Sequence, residues 1–226
     1  MFSNMVENFI FIVGKYWKTF LVTGLLGTLE LTAIAVAFGI VFGSILALLR
    51  RSHFWPLKWL AAIYIEVVRG TPLLLQLYFF YFMIPQWFSA LELDKFTCVA
   101  IALAFNSAAY VSEVIRSGIQ AVERGQNEAA RCLGLSHFQS MLYVVMPQAI
   151  KNILPALGNE FVMMLKESSL ASTFLVGDLM TSYKIVNGAT YLTLEPLVFV
   201  AMIYFVMTFL ISKLVGIFER RMAQSD

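Results

Sequence analysis

Uncharged apolar runs separated by short charged segments make up most of this chain. Four runs contain no Asp, Glu, Lys or Arg: residues 31–49, 71–91, 96–112 and 196–212. A transmembrane helix needs about 20 predominantly apolar residues to cross the hydrocarbon core of a bilayer. The pattern therefore predicts four transmembrane helices at these positions.

A fifth span is predicted within residues 144–170, where charges and prolines interrupt the apolar pattern. Lipid cannot solvate polar groups, so a helix of this kind has to face protein or a water-filled cavity. The interrupting residues are Pro147, Lys151, Pro155, Glu160, Lys166 and Glu167.

Residues 9–28 and 54–70 combine apolar and aromatic side chains with charges. This mixture favours helices that lie in the membrane interface. After the second segment, Thr71 is predicted to cap the next helix and Pro72 to occupy its first position. Pro85 is expected to end or kink that helix.

The positive charges are distributed unequally between the two predicted sides. With the N-terminus outside, 11 of the 16 Lys and Arg residues lie on inner segments. Cytoplasmic loops are enriched in these cations, so we predict an N-out, C-in orientation with residues 117–141 in the cytoplasm. The 11 residues are Arg50, Arg51, Lys58, Arg69, Arg116, Arg124, Arg131, Lys151, Lys213, Arg220 and Arg221.

Composition supports the same class, since 60% of residues are hydrophobic, 13% are charged and the mean hydropathy is +0.78. Soluble domains have about a quarter charged residues. The chain is predicted to be an all-α integral membrane protein with one domain over residues 1–226 and no cleaved signal peptide. The net charge of +2 gives no reason to expect a nucleic-acid partner.

Cys98 and Cys132 lie toward opposite membrane faces, so no disulfide is expected, and no metal-ligand spacing is present.

A polar segment rich in small residues, NEAARCLGLSHFQSMLYVVMP, occupies residues 127–147. Its spacing is EAA, three residues, Gly134, nine residues, then V-x-M-P. This resembles the EAA signature of permease subunits of ATP-binding cassette (ABC) importers, with Val144 and Met146 in place of Ile and Leu. Gly134 can end a helix in a left-handed turn, and alanines leave a slim helix surface. The alternative is an ordinary amphipathic cytoplasmic helix.

The resemblance implies that this helix docks on a separate ATPase subunit. The residues implied in this coupling are Glu128, Ala129, Ala130, Arg131, Gly134 and Leu135. The chain has no GxxxxGK[ST] motif, so we expect it to be a transport subunit rather than an enzyme. ATP and Mg would then bind the partner ATPase, and no cofactor would bind this chain.

Four further segments are similar to the polar amino acid subfamily: RGTPLL at 69–74, AYVSEVIRSGI at 109–119, GQ at 125–126, and LPALGNEFVMMLKESSL at 154–170. The resemblance implies the type I importer permease fold, with five spans, an N-terminal interfacial helix and a cytoplasmic coupling helix. It implies an extracytoplasmic substrate-binding protein as partner, a cytoplasmic (inner) cell membrane location among membrane lipid, and a second permease chain. A homodimer is favoured over a heterodimer, because this chain has both a complete docking motif and a complete polar span. The substrate could be glutamine, glutamate, arginine, histidine or cystine.

Ionisable groups inside the membrane are candidates for substrate contacts. Glu160 could meet the positively charged end of an amino acid, with Gly158 allowing close approach, or could pair with a basic group and only fix packing. The candidate substrate-binding residues are Glu160, Asn159, Ser107, Asn106, Thr71, Gln76 and Lys166.

Several other polar residues have both structural and functional interpretations. Asn106, Tyr110 and Glu113 lie on one helical stripe. For Tyr110 the packing interpretation is favoured. For Glu113 and Arg116 a structural ion pair is favoured. Arg69 could gate the second span or serve only as an inner cation, and Gln76 could form a helix–helix hydrogen bond.

Two other protein classes fit the sequence less well. A secondary transporter is disfavoured because no inverted repeat is visible and such a protein needs no docking helix. An intramembrane enzyme is disfavoured because neither histidine lies in a predicted span to serve as a base.

Overall fold

A computed structural model describes residues 2–89 and 92–223, and the regular elements in these residues are all helical. The predicted all-α class is therefore confirmed. The α-helices are α1 (Phe2–Lys18), α2 (Leu25–Arg50), α3 (Trp55–Gly70), α4 (Leu73–Trp87), α5 (Lys95–Gln120), α6 (Arg124–Cys132), α7 (His137–Ser140), α8 (Met146–Glu167), α9 (Leu179–Thr190) and α10 (Leu194–Ala223). Two π-helical turns, Thr19–Gly24 and Met141–Val145, and a 3₁₀ segment, Ser168–Phe174, join some of them.

The first apolar run lies within a much longer helix than the sequence predicts. α1, the first π-helical turn and α2 form one continuous helix from Asn4 to Arg50, 47 residues long. The predicted boundary between an interfacial helix over residues 9–28 and the first span is absent. Lys15 and Lys18 lie within the helix without interrupting it, because lysine is a good helix former, and each ammonium group lies over a neighbouring aromatic ring.

By length and composition, three helices of the described residues could each cross a membrane: Asn4–Arg50, α5 and the Leu194–Met222 part of α10. α3 and α4 together could form a fourth, broken span. α8 occupies the position of the polar span predicted over 144–170 but is not among these helices. The count of five spans and the N-out, C-in orientation therefore stay predictions.

α3 and α4 meet at an elbow and are bent by 111° relative to each other. Thr71 is extended, as expected for a residue that precedes proline. The predicted cap is wrong in detail: the Thr71 hydroxyl donates to the carbonyl of Val67 at 2.8 Å, and Pro72 itself holds the capping position of α4. Pro85 lies within α4, which ends two residues later.

α2 and α5 approach closely at two buried glycines that lie four residues apart, Gly39 and Gly43. A Cβ atom added at Gly43 would lie 2.8 Å from the carbonyl oxygen of Ala108 and 2.8 Å from Val111 Cβ. Small residues at this spacing allow the backbones of membrane helices to approach each other. The contact places α5, which carries Asn106 and other candidate polar residues, directly against α2.

The replacement Gly43→Val is expected to destabilise the protein, because the added methyl groups overlap α5. Overpacking of this kind costs about 1–3 kcal/mol. Gly216→Val is the matched control, since Gly216 is also helical and no atom lies within 4 Å of an added Cβ. The melting temperature of the purified protein in detergent should fall for Gly43→Val only. Equal melting temperatures for the two variants would contradict this packing.

The segment between α8 and α10 contains a helix, α9, that the apolar pattern did not predict. Asp178 caps it, and its carboxylate accepts hydrogen bonds from the backbone N–H groups of Met180 (3.0 Å) and Thr181 (3.3 Å). The Thr28 hydroxyl of α2 accepts a further bond from the N–H of Leu179 at 3.0 Å. An Asp followed by a helix-compatible run is a local capping signal, and it could have identified α9.

Candidate functional site

α6 carries the EAA residues and lies between α5 and α7. Glu128, Ala129 and Arg131 are exposed, whereas Ala130 is buried with 4% of its surface exposed. The exposed face therefore combines two charged side chains with an alanine. A partner's backbone can approach such a surface closely.

Three large apolar side chains that follow α6 along the chain are also exposed. Leu133 is 85% exposed, Phe138 is 72% exposed and Tyr143 is 67% exposed. Exposed apolar side chains on a polar segment are candidates for contact with a partner when they form one patch. Sequence analysis missed these residues, although their position in an otherwise polar segment was a usable signal.

Gly134 ends α6 in the left-handed conformation, with φ of +89°, which confirms the predicted turn. The N–H of Leu135 donates to the carbonyl of Ala130 at 3.2 Å, and the N–H of Gly134 donates to Arg131 at 3.0 Å. These two bonds form a Schellman motif, which satisfies carbonyls at the helix end. The turn directs the chain from α6 into α7.

A side-chain hydrogen bond attaches α6 to α7. The Ser140 hydroxyl of α7 donates to Asn127 Oδ1 at 2.6 Å. Ser136 caps α7 in a reciprocal arrangement with Gln139, and α7 continues through a π-helical turn into α8. A cavity of about 590 Å³ lies between α6 and the adjoining helix ends, with Glu128 in its lining.

Glu160 is buried in α8, with 6% of its surface exposed. Among the described residues it has no hydrogen bond and no salt bridge. The basic partner required by the packing interpretation is therefore not found in the described part of the chain.

Asn159 and Lys166 are exposed and lie seven residues apart, on one face of α8. Gly158 does not face an open space. A Cβ atom added there would lie 2.8 Å from a methyl carbon of Val215 in α10. The expectation that Gly158 allows a ligand to approach is wrong, because helix packing uses its small size.

The structure brings together three predicted residues, Thr71, Gln76 and Asn106, in a hydrogen-bonded cluster at the elbow. Asn106 Nδ2 donates to Gln76 Oε1 at 2.9 Å, and Gln76 Nε2 donates to Thr71 Oγ1 at 2.9 Å. Asn106 and Gln76 are buried. Ser107 is fully buried and faces Gly39 of α2. No described hydrogen bond joins this cluster to Glu160.

Glu113 lies among three arginines. Its carboxylate contacts Arg50 at 2.8 Å, Arg69 at 3.8 Å and the guanidinium of Arg116. The guanidinium of Arg69 also lies over the ring of Tyr110, 5.6 Å from its centre. The Glu113–Arg116 pair was predicted, and the two distant arginines were not.

The described residues contain no group of three or more His, Cys, Asp or Glu residues that could hold a metal ion. Cys98 is a buried free thiol and Cys132 an exposed one.

The helical bundle, with several helices long and apolar enough to cross a bilayer, defines a multi-pass membrane protein. Residues 39–224 match the family described as "binding-protein-dependent transport system inner membrane component". The chain is a member of this family.

Individual relatives match over most of their length. The chain is 40% identical over 207 residues to the arginine transport system permease protein ArtQ of Bacillus subtilis, covering 92% of this chain and 94% of that protein. It is 42% identical over 206 residues to the putative glutamine transport system permease protein GlnP of Rickettsia bellii, covering 91% and 94%. A solved amino acid ABC transporter, crystallised with histidines, matches with a TM-score of 0.87 and 50% identity, covering 92% of this chain and 95% of that chain.

Proposed function

We propose that this chain is the membrane-spanning permease subunit of an ABC importer for polar amino acids in the inner cell membrane. A separate ATPase would dock on α6, and an extracytoplasmic binding protein would deliver the substrate. The observation that carries the proposal is the exposed EAA face of α6, closed by the left-handed Gly134. The 50% identity to a solved amino acid ABC transporter supports the substrate class.

A permease of this kind is proposed to work as a pair of identical chains with two ATPase subunits. One chain supplies one docking helix and one polar span, α8, whose exposed face carries Asn159 and Lys166. Pairing two chains would enclose these polar faces between the subunits and keep them away from lipid. A heterodimer with a related permease chain is the alternative.

Glu160 is proposed to contact the positively charged end of the amino acid. A buried carboxylate without a partner is costly, and a cationic group of the substrate would supply the missing partner. Lys166, on the exposed face of the same helix, is suited to the carboxylate end of the substrate. Glutamine, glutamate, arginine, histidine and cystine all carry both groups.

Reconstitution tests this proposal directly. We expect the chain, co-purified with its ATPase and placed in proteoliposomes with the binding protein, to take up at least one of these five amino acids in an ATP-dependent manner. Native mass spectrometry should find two identical permease chains and two ATPases. Transport by a complex with one permease chain would overturn the pairing, and ATP-independent uptake would overturn the importer class.

A further inference from the structure

α5 contacts the elbow between α3 and α4 at three positions along its length. The Tyr64 hydroxyl of α3 donates to the carbonyl of Phe105 at 2.6 Å. One residue further along α5, Asn106 bonds to Gln76 of α4 at 2.9 Å. Two turns further, Glu113 contacts Arg69 at the end of α3. Both arms of the elbow are therefore held by α5.

Gln76 is the central connection in this arrangement. Its Nε2 donates to the carbonyl of Val68 at 2.7 Å and to the carbonyl and hydroxyl of Thr71 at 3.1 and 2.9 Å. The last carbonyls of a helix have no partner within the helix, and Gln76 supplies one across the elbow. Because its Oε1 accepts from Asn106, a single amide ties α3, α4 and α5 together.

Asn106 has bonding capacity that this arrangement does not use. Its Oδ1 is buried and has no hydrogen-bond partner. A buried acceptor without a donor is unfavourable, so a second arrangement that gives Oδ1 a donor can compete with this one. The donors within the cluster are the Gln76 amide and the Thr71 hydroxyl. The cluster therefore has the chemistry of an element with two arrangements.

α5 also leads directly to the docking helix. α5 ends at Gln120 and α6 begins at Arg124, and the intervening residues are a short turn. A displacement of α6 by a partner therefore reaches the elbow along a single helix. Packed helices with two discrete arrangements are the physical means by which distant sites are coupled.

We infer that Gln76 and Asn106 are positioning residues that transmit the movement of α6 through α5 to the α3–α4 elbow. The inference rests on the proposed function, in which a partner ATPase moves α6. Neither residue needs to contact the transported amino acid. Both determine how far the broken span follows the docking helix.

The test compares Gln76→Leu, Asn106→Leu and the double variant with wild type in the assembled complex in proteoliposomes. Gln86→Leu is the matched control, because Gln86 lies on α4, is exposed and has no described hydrogen bond. Two quantities are measured: the ratio of binding-protein-stimulated to basal ATP hydrolysis, and the melting temperature. We expect the ratio to fall about 2- to 30-fold in the three elbow variants and to stay at the wild-type value in the control.

The double variant separates positioning from stability. In Gln76→Leu, Asn106 Nδ2 and the carbonyls of Val68 and Thr71 all lose the Gln76 amide, whereas the double variant no longer leaves the Asn106 amide unpaired, which costs less stability. We expect its melting temperature to lie above that of Gln76→Leu while the stimulation ratio stays low. A ratio that recovers together with the melting temperature would overturn the inference and leave a packing role.

The wild-type complex distinguishes a failure of the inference about Gln76 and Asn106 from a failure of the proposed function. If it couples ATP hydrolysis to amino acid uptake and the elbow variants also remain coupled, only the inference about Gln76 and Asn106 fails. If the wild-type complex takes up none of the five amino acids, the proposed function fails and the inference fails with it.

Discussion

The replacement Gly134→Val is expected to lower transport about tenfold or more while leaving the chain inserted in the membrane. Gly134 has φ of +89°, a conformation that a β-branched side chain adopts only with strain of about 1–3 kcal/mol. No atom lies within 4 Å of an added Cβ, so the effect arises from the backbone turn and not from a clash. Relieving the strain would redirect α6 and displace its exposed EAA face. ATPase association, measured by co-purification, should fall about tenfold or more.

Two variants make this prediction specific. Gly134→Asn should retain most ATPase binding, because Asn tolerates the left-handed conformation. Gly177 also has φ of +89° but lies outside α6, so Gly177→Val should lower stability without weakening ATPase binding per folded chain. If Gly134→Val co-purifies normally with the ATPase and retains binding-protein-stimulated hydrolysis, the assignment of α6 as the docking helix is wrong.

Glu128→Lys, a charge reversal on the exposed face, should weaken ATPase binding independently of the turn.

The replacement Glu160→Gln is expected to weaken transport at low substrate concentration by about tenfold or more, since a charge-assisted hydrogen bond contributes roughly 1.5–3 kcal/mol. The substitution preserves the shape of the side chain and removes its charge. Because Glu160 is buried without a described basic partner, removing the charge should not destabilise the protein. Uptake per assembled complex and the melting temperature are both measured in the same preparation.

The opposite pattern would assign Glu160 to packing. A variant that melts at a lower temperature but transports with a normal KM would mean that its carboxylate serves the fold alone. Glu30→Gln is the matched control, because Glu30 is an exposed carboxylate of α2 with no described partner. Its uptake and its melting temperature should both match wild type.

Local sequence signals accounted for most of the helices and for the EAA segment. Charge-free runs predicted the positions of α4, α5 and α10, and the residue spacing predicted α6 and its left-handed end at Gly134. These features depend on neighbours within a few residues, so a pattern can reveal them. The same kind of signal failed at the N-terminus. Lysine is a good helix former and an isolated glycine only weakens a helix, so neither ends it, and packing against α9 and α10 supports a continuous helix.

The candidate polar residues show where local reasoning ends. Asn106, Gln76 and Thr71 were each expected to be candidates for substrate contact, yet the structure joins them to one another at the elbow. Gln76 and Asn106 are 30 residues apart, and which faces of α4 and α5 meet depends on the bend between α3 and α4. Proline in the sequence indicates that a bend occurs but does not set its angle of 111°.

The ion pairs of Glu113 illustrate the same division. Arg116 lies three residues away on the same helix, so the helical repeat alone brings the two side chains together. Arg50 comes from α2, 63 residues earlier, and Arg69 comes from the end of α3.

The sequence by itself determined the membrane class, the positions of most helices and the EAA helix with its turn, because these follow from hydrophobicity and short-range geometry. The tertiary structure alone decided that Glu160 is buried without a described partner, that Gly158 packs against α10, and that α5 contacts both α3 and α4 at the elbow. Each of these depends on which helix faces meet, and that choice is made by packing between residues far apart in the chain.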